Sequence, residues 1–260
     1  MTSLLPCLGA CLLAACQPAA DRASPGFPLW QRAQEALRHG QADRAIDLYE
    51  QSLVADPHLT RNYLGLAAAY LGKGDDARAC LHLTLYVAAH PEHVAVRTQY
   101  ADLLCRLRRV AEARAELERC VADVQDDPAL ADEHLLHCHS RLMEIAEQAE
   151  DDYGEHLHRG IGLFLLGRQR AAEGPVGALR AEGLFCKAAA ELTLARRAQP
   201  GAARPSWYLH EVWTQMGQSQ PAGRCLYAAV RAAPFGDLTP AEQRGLYLAR
   251  RCHDHDAARK

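Results

Sequence analysis

Residues 60–93 read TRNYLGLAAAYLGKGDDARACLHLTLYVAAHPEH, and this stretch of 34 residues decides the fold. It predicts two helices separated by Gly74, because glycine readily adopts the backbone conformation of a tight turn. Ala79 places a small side chain where the paired helices cross closely, and Pro91 keeps the second helix from continuing. The first helix carries Tyr63, Leu66, Ala67 and Tyr70. The stretch therefore predicts one helical hairpin.

The same pattern returns in the segments on either side, in the same register. The preceding 34 residues place Gly40 at the turn, Ala45 at the crossing and Pro57 at the end. Residues 94–127 repeat the small positions, although Arg108 stands where the turn glycine is expected. Three consecutive hairpins are therefore predicted in the first half of the chain.

A further unit near the other end carries the same pattern, and together the units resemble a known family. Residues 203–236 place Gly217 at the turn and Pro234 at the end. These units resemble the tetratricopeptide repeat (TPR), and the resemblance covers residues 26–127 and 200–236. It implies an all-α fold, a right-handed α-solenoid of stacked antiparallel helix hairpins with a C-terminal capping helix.

The predicted organisation has seven segments. They are residues 1–16 as a signal and lipobox segment, 17–27 as a flexible tether, 28–127 as three TPR-like hairpins, 128–199 as diverged helical hairpins with an insertion, 200–236 as a TPR-like hairpin, 237–252 as a capping helix and 253–260 as a disordered tail. In the diverged part, helices are expected near residues 129–148 and 153–170 and from about Leu179. Thr239 and Glu242 form a capping box that opens the last helix.

Composition and motifs limit the classes of function. Lys and Arg total 29 against 32 for Asp and Glu, so a net charge of -3 provides no basic field for nucleic acid. The sequence contains no GxSxG, Walker or HExxH motif and no glycine-rich turn after a strand. We therefore expect no enzyme activity, no cofactor and no nucleic-acid partner.

The first sixteen residues differ from the rest. Residues 1–15 carry no charged side chain and form an apolar run too short to span a bilayer, which is typical of an export signal. Leu13, Ala14, Ala15 and Cys16 resemble a bacterial lipobox, which implies acylation of Cys16. The resemblance implies a lipid-anchored protein of the cell envelope that faces the periplasm. The alternative is a soluble cytoplasmic adaptor, because no Lys or Arg precedes the apolar run.

A cluster of histidines and one cysteine on a predicted helix leaves a second alternative open. His134 lies three and four residues before His137 and Cys138, so the three side chains share a helix face and could contact one metal ion. His139 follows directly. The alternative interpretation is an amphipathic helix with solvated histidines and a buried cysteine. No resident metal is predicted, and a metal-binding helical protein using His134 and Cys138 stays an alternative.

The irregular spacing of seven further cysteines predicts burial more than pairing. They are Cys80, Cys105, Cys120, Cys138, Cys186, Cys225 and Cys252.

The resemblance also implies a binding groove. In the TPR family the ligand-facing residues lie at fixed positions of the first helix of each hairpin. Those positions correspond here to Trp30, Gln34, Leu64, Ala68, Thr98, Asp102, Arg106, Trp207 and Glu211. The resemblance implies a non-catalytic scaffold that holds a peptide or protein segment in a concave groove, with the tryptophans as anchors. The alternative is that Trp30 and Trp207 pack between hairpins.

Overall fold

The computed structural model describes residues 23–126, 132–233 and 236–258. Within these ranges the chain forms twelve α-helices and no β-strand, which confirms the all-α prediction. The predicted signal, Cys16, most of the tether and Pro234 lie outside the described residues. In the described ranges, every helix is too short or too polar to cross a membrane.

The helices follow one another along the chain with short connections. They are α1 (Phe27–Arg38), α2 (Ala42–Ala55), α3 (Arg61–Gly72), α4 (Asp76–Ala89), α5 (Val94–Arg106), α6 (Val110–Asp126), α7 (Asp132–Gln148), α8 (Asp152–Ala171), α9 (Pro175–Ala198), α10 (Arg204–Gln215), α11 (Ser219–Ala232) and α12 (Pro240–Ala258).

The described residues form two compact units, and the boundary between them falls between Ala113 and Arg114, inside α6. In the first unit α1 packs on α2, α3 packs on α4, and α2 also contacts α3. In the second unit α8 packs on both α7 and α9, α10 pairs with α11, and α12 packs on α11. Because connections of a few residues join consecutive helices, each pair is an antiparallel hairpin.

The turns have the backbone conformation that the repeat predicts. Gly40, Gly74 and Gly217 have φ values of 72°, 75° and 68°, in the left-handed region that favours glycine. Arg108 stands at the same place in its hairpin and has a φ of 61°. The repeat register therefore determines the turn even where the residue is not glycine.

Small residues allow the hairpins to approach closely. Ala45 and Ala79 are fully buried where their helices cross. Gly65 of α3 lies under the ring of Tyr49 from α2, so that a Cβ atom there would be 2.2 Å from Tyr49 Cζ. The closest contact between successive hairpins in the first unit therefore depends on a position without a side chain.

Helix ends differ from the sequence expectation in two places. α9 begins at Pro175, four residues before the expected start, and its N-cap Gly174 has a φ of 98°. The last helix runs to Ala258, whereas the sequence predicted its end near Cys252. The predicted capping box is present: Thr239 N–H donates to Glu242 Oε2 at 2.9 Å, and Glu242 N–H donates to Thr239 Oγ1 at 3.2 Å.

Candidate functional site

The predicted groove residue Trp30 is buried in α1. Its ring stacks on that of Phe27, with 5.3 Å between the ring centroids. Gln34, one turn later, is half-buried. Little of the Trp30 ring is therefore accessible to a bound segment, as the packing alternative expects.

The groove positions of α3 and the first of α5 are also buried. Leu64 and Ala68 lie on a helix that is buried along nearly its whole length. Thr98 is buried, and its hydroxyl donates to the carbonyl oxygen of Ala95 at 3.0 Å. These three residues contribute to packing within the first unit.

The last two groove positions of α5 are more accessible, but Arg106 is engaged within the chain. Arg106 pairs with the carboxylate of Asp76 through two hydrogen bonds, of which the Nε to Oδ2 bond is 3.0 Å long. Lys73 pairs with Asp43 at the corresponding place one repeat earlier. Asp102 is half-buried. The structure therefore contains a repeated ion pair between successive hairpins, which the sequence analysis missed.

In the second unit, α12 covers the predicted anchor Trp207. A Cβ atom on Gly245 would lie 2.9 Å from the Trp207 ring, so the glycine allows α12 to pack directly on the indole. Glu211 is half-buried, and burial raises the pKa of its carboxyl group. Trp207 thus fills the space between α10 and the capping helix.

A row of exposed apolar side chains in the second unit lies on α9. Residues on the inner face of this helix are buried, among them Phe185 and Leu192. On the opposite face, Val176 is 66% exposed, Leu179 75% and Leu194 39%. The residues of this face lie three or four apart and are Val176, Leu179, Gly183, Cys186, Ala190 and Leu194. We call this row the α9 seam.

The α9 seam is unusual because a helix on a protein surface normally presents polar residues opposite its core face. Arg180 and Lys187 flank the seam on one side and Glu182 on the other, and all three are exposed. A Cβ atom on Gly183 would meet nothing within 4 Å. The centre of the seam is therefore open to the close approach of another backbone.

The second unit also contains a buried polar cluster centred on Glu242. Oε1 of this carboxylate accepts hydrogen bonds from Arg204 Nε at 2.9 Å and from the Tyr208 hydroxyl at 2.9 Å. Gln125 Nε2 donates to the same oxygen at 3.1 Å. Glu242 thus caps α12 through Oε2 and neutralises a buried arginine through Oε1.

Asp237 performs a second capping role beside this cluster. Its Oδ1 accepts from the backbone N–H of Ala203 at 2.8 Å, and its Oδ2 accepts from the N–H of Arg204 at 3.0 Å, both at the start of α10. The Tyr153 hydroxyl donates to Asp237 Oδ2 at 2.9 Å. The carboxylate therefore satisfies backbone groups at the helix start from a distant loop.

A cavity of about 400 Å³ adjoins these groups. His158 lines it, and burial lowers the pKa of this imidazole to about 3. Burial also places the pKa of His139 well below its usual value, and the Nδ1 atoms of the two rings lie 3.0 Å apart. Arg114 Nη1 and Asp151 Oδ2, whose side chains also line the cavity, lie 3.5 Å apart. The two histidines contact each other, and the arginine pairs with the aspartate.

The histidine cluster of α7 does not converge on one point. Cys138 and His139 are buried, His134 is half-buried and His137 is exposed. His139 instead contacts His158 of α8. Within the described residues, these side chains form no group of three ligand atoms within reach of one ion.

None of the seven cysteines in the described part of the chain forms a disulfide. Most follow the expectation of burial, namely Cys80, Cys120, Cys138 and Cys225. Cys105 is half-buried, and Cys186 and Cys252 are exposed.

No protein-family model matches the chain, and no curated protein matches it. Solved structures similar to it include pilF of Pseudomonas aeruginosa, which is 16% identical, covers 88% of this chain and 99% of its own, and has a TM-score of 0.43. BtubC from P. vanneervenii is 16% identical over 92% of this chain and 95% of its own, with a TM-score of 0.47. YrrB, a TPR protein with an unusual peptide-binding site, is 15% identical, covers 87% of this chain and 94% of its own, and has a TM-score of 0.36.

The fold is TPR-like. This conclusion rests on the consecutive helix pairs, the left-handed turns and the small residues at the crossings, since the TM-scores are low.

The sequence pattern alone does not predict the α9 seam, because it places the start of the helix at about Leu179. Val176 then fell in a loop, and the row lost its first apolar residue. The signal that could have revealed it is Pro175 after Gly174, since proline is favoured in the first turn of a helix.

Proposed function

We propose that the protein is a non-catalytic interaction scaffold that binds a helical segment of another polypeptide along the α9 seam. The observation that carries the proposal is a row of apolar side chains on the side of α9 opposite its core face. Spacings of three and four residues match the apolar stripe of an amphipathic helix laid alongside. Leu179 and Val176 would supply the anchors, and Gly183 and Ala190 would allow close approach.

The charges beside the seam would orient the bound segment. Arg180 and Lys187 favour acidic residues along one edge of the partner, and Glu182 favours a basic residue along the other. We therefore expect a partner helix with an apolar stripe and oppositely charged flanks.

Binding in a groove formed by the first helices of the hairpins is the second version of the same proposal. Four of its predicted residues keep accessible atoms, and these are Gln34, Asp102, Arg106 and Glu211. The α9 seam is favoured because Trp30 and Trp207, the expected anchors of the groove, are buried.

The binding test uses two seam variants and a matched control. Leu179→Glu and Val176→Glu each place a charge on the seam. Val54→Glu makes the same change at an exposed valine of α2 in the first unit, whose side chain is 85% exposed. Losing the burial of one such side chain costs about 2 kcal/mol, which corresponds to an affinity lower by about thirtyfold. In quantitative pull-downs, the amount of bound polypeptide should decrease with both seam variants and stay at the wild-type level with Val54→Glu. Unchanged binding by both seam variants would exclude the seam.

A crosslinking experiment locates the bound segment. In a Cys252→Ser background, a maleimide photocrosslinker on exposed Cys186 should attach to the same polypeptide that the seam variants lose. In the converse variant, Cys186→Ser with Cys252 intact, the photocrosslinker on Cys252 should not attach to this polypeptide. Peptide mapping of the crosslinked product then shows whether apolar residues in the bound segment recur every three or four positions, as in an amphipathic helix.

We also propose that the protein is anchored to the cell envelope through an acylated Cys16 and faces the periplasm. The support is the apolar run of residues 1–15, which ends in Ala14 and Ala15 and is followed by Cys16. Metabolic labelling with palmitate and membrane fractionation test it: Cys16→Ser should lose both the label and the membrane fraction. Equal distribution of wild type and variant would favour the soluble cytoplasmic adaptor.

A further inference from the structure

Three metal-ligand residues meet in the turn between α4 and α5 of the first unit. His90 is the C-cap of α4, and its N–H donates to the carbonyl oxygen of Tyr86 at 2.9 Å. His93 is the N-cap of α5. The two imidazole rings stack with centroids 5.1 Å apart and planes 9° apart, and Glu92 lies between them in sequence. The turn is thus fixed at both ends by helices.

The donor atoms have the spacing that one ion requires. Glu92 Oε1 lies 3.1 Å from His90 Nδ1 and 3.6 Å from His93 Nε2, and all three ligand atoms lie within 4.8 Å of one another. Zinc binds nitrogen and oxygen at about 2.0 to 2.2 Å, so two donors on one tetrahedral ion are about 3.4 Å apart. Small side-chain rotations would bring the three atoms onto one ion.

The other nitrogen of each ring already has a hydrogen-bond partner. Thr60 Oγ1 lies 2.7 Å from His90 Nε2, and the Tyr86 hydroxyl lies 2.6 Å from His93 Nδ1. When these oxygens accept the ring N–H groups, the lone pairs of His90 Nδ1 and His93 Nε2 are free for a metal. Metal-binding histidines in proteins are usually held in this way.

We propose that His90, Glu92 and His93 bind a single divalent transition-metal ion of the zinc class. Two imidazoles and one carboxylate favour zinc, cobalt, nickel or copper over magnesium and calcium, which prefer oxygen ligands. The side chains of His90, His93 and Glu92 are 29%, 42% and 62% exposed, so the ion can enter from solvent. Water or a partner's side chain can fill the remaining position. The site shares no residue with the His134 cluster or the α9 seam.

The experiment treats the full, untagged chain with a chelator, removes the chelator, and then measures zinc binding by calorimetric titration. Glu92→Gln removes the ligand charge and leaves both helix caps intact. His93→Asn removes a nitrogen ligand and puts a favoured residue at the N-cap. Both variants should bind one ion fewer per chain than the wild type. His58→Asn changes an exposed histidine outside the cluster and should bind as the wild type does.

Tyr86→Phe tests the outer hydrogen bond, because it keeps the ring and removes only the hydroxyl. The number of bound ions should stay the same, and the affinity should fall by about 10- to 100-fold. Circular dichroism without metal verifies that each variant is folded. Identical zinc stoichiometry and affinity in the wild type, Glu92→Gln and His93→Asn would overturn the proposal.

Discussion

Gly65→Ala tests the contact that stacks the second hairpin of the first unit on the first. The added Cβ atom would lie 2.2 Å from Cζ, 2.4 Å from Cε1 and 2.7 Å from Cε2 of Tyr49. Carbon atoms pack at about 3.5 to 4.0 Å, so the overlap exceeds about 1 Å. Tyr49 is fully buried, so its ring can move only by displacing the side chains around it.

The expected cost follows from two opposing effects. Overpacking of a filled core costs about 1 to 3 kcal/mol, and the overlap with three ring atoms puts this site at the upper end. Alanine favours the helix over glycine by about 1 kcal/mol. The free energy of unfolding should therefore fall by about 2 kcal/mol. Gly72→Ala, in the same helix with nothing within 4 Å of its Cβ, should be neutral or slightly stabilising.

Urea unfolding followed by circular dichroism measures both variants. A second measurement in a Tyr49→Leu background tests the cause, because without the ring Gly65→Ala should no longer be destabilising. If Gly65→Ala unfolds at the same urea concentration as the wild type or a higher one, the ring does not lie over Gly65 and the description of this interface is wrong.

Three further predictions concern the second unit. Glu242→Ala should lower the free energy of unfolding in urea by about 3 to 5 kcal/mol, because it leaves the Arg204 guanidinium buried without its carboxylate. Burial lowers the pKa of His158 from 6.5 to about 3. Between these pH values the unfolded chain binds a proton on His158 and the folded chain does not, so the free energy of unfolding should fall as the pH drops from 6.5 towards 3. The loss at about pH 4.5 is about 3 kcal/mol, and His158→Gln should show a correspondingly weaker pH dependence of unfolding. In mass spectrometry of the folded protein after brief maleimide treatment, Cys186 and Cys252 should be labelled before the buried thiols.

The hairpins could be predicted from the sequence because the repeat reports the same turn several times. Gly40 and Gly74 identified the left-handed position, and their register located it at Arg108, which has a φ of 61° without being glycine. A single-residue preference would have missed that turn. The repeat register therefore predicts the left-handed turn at Arg108, which the residue type alone does not.

The site residues were less predictable because their surroundings come from distant parts of the chain. The position of Trp207 in the repeat indicated a groove, but Gly245 brings α12 onto its ring from 38 residues away. Glu242 was recognised as a cap, and its contact with Arg204 needed the packed structure. The stretch from His90 to His93 was interpreted only as the end of a repeat unit, although three of its four residues are common metal ligands.

The contact between Trp207 and Gly245 also limits how this array can change in length. α12 lies where the first helix of another hairpin would stack, and it fits there because residue 245 has no side chain. A duplicated hairpin inserted before α12 would have to place an equally small residue against the indole. Loss of α12 would remove the helix backbone that packs on Trp207 and the carboxylate of Glu242 that pairs with Arg204. Gene duplication could therefore lengthen the chain more readily at internal hairpins than at this end.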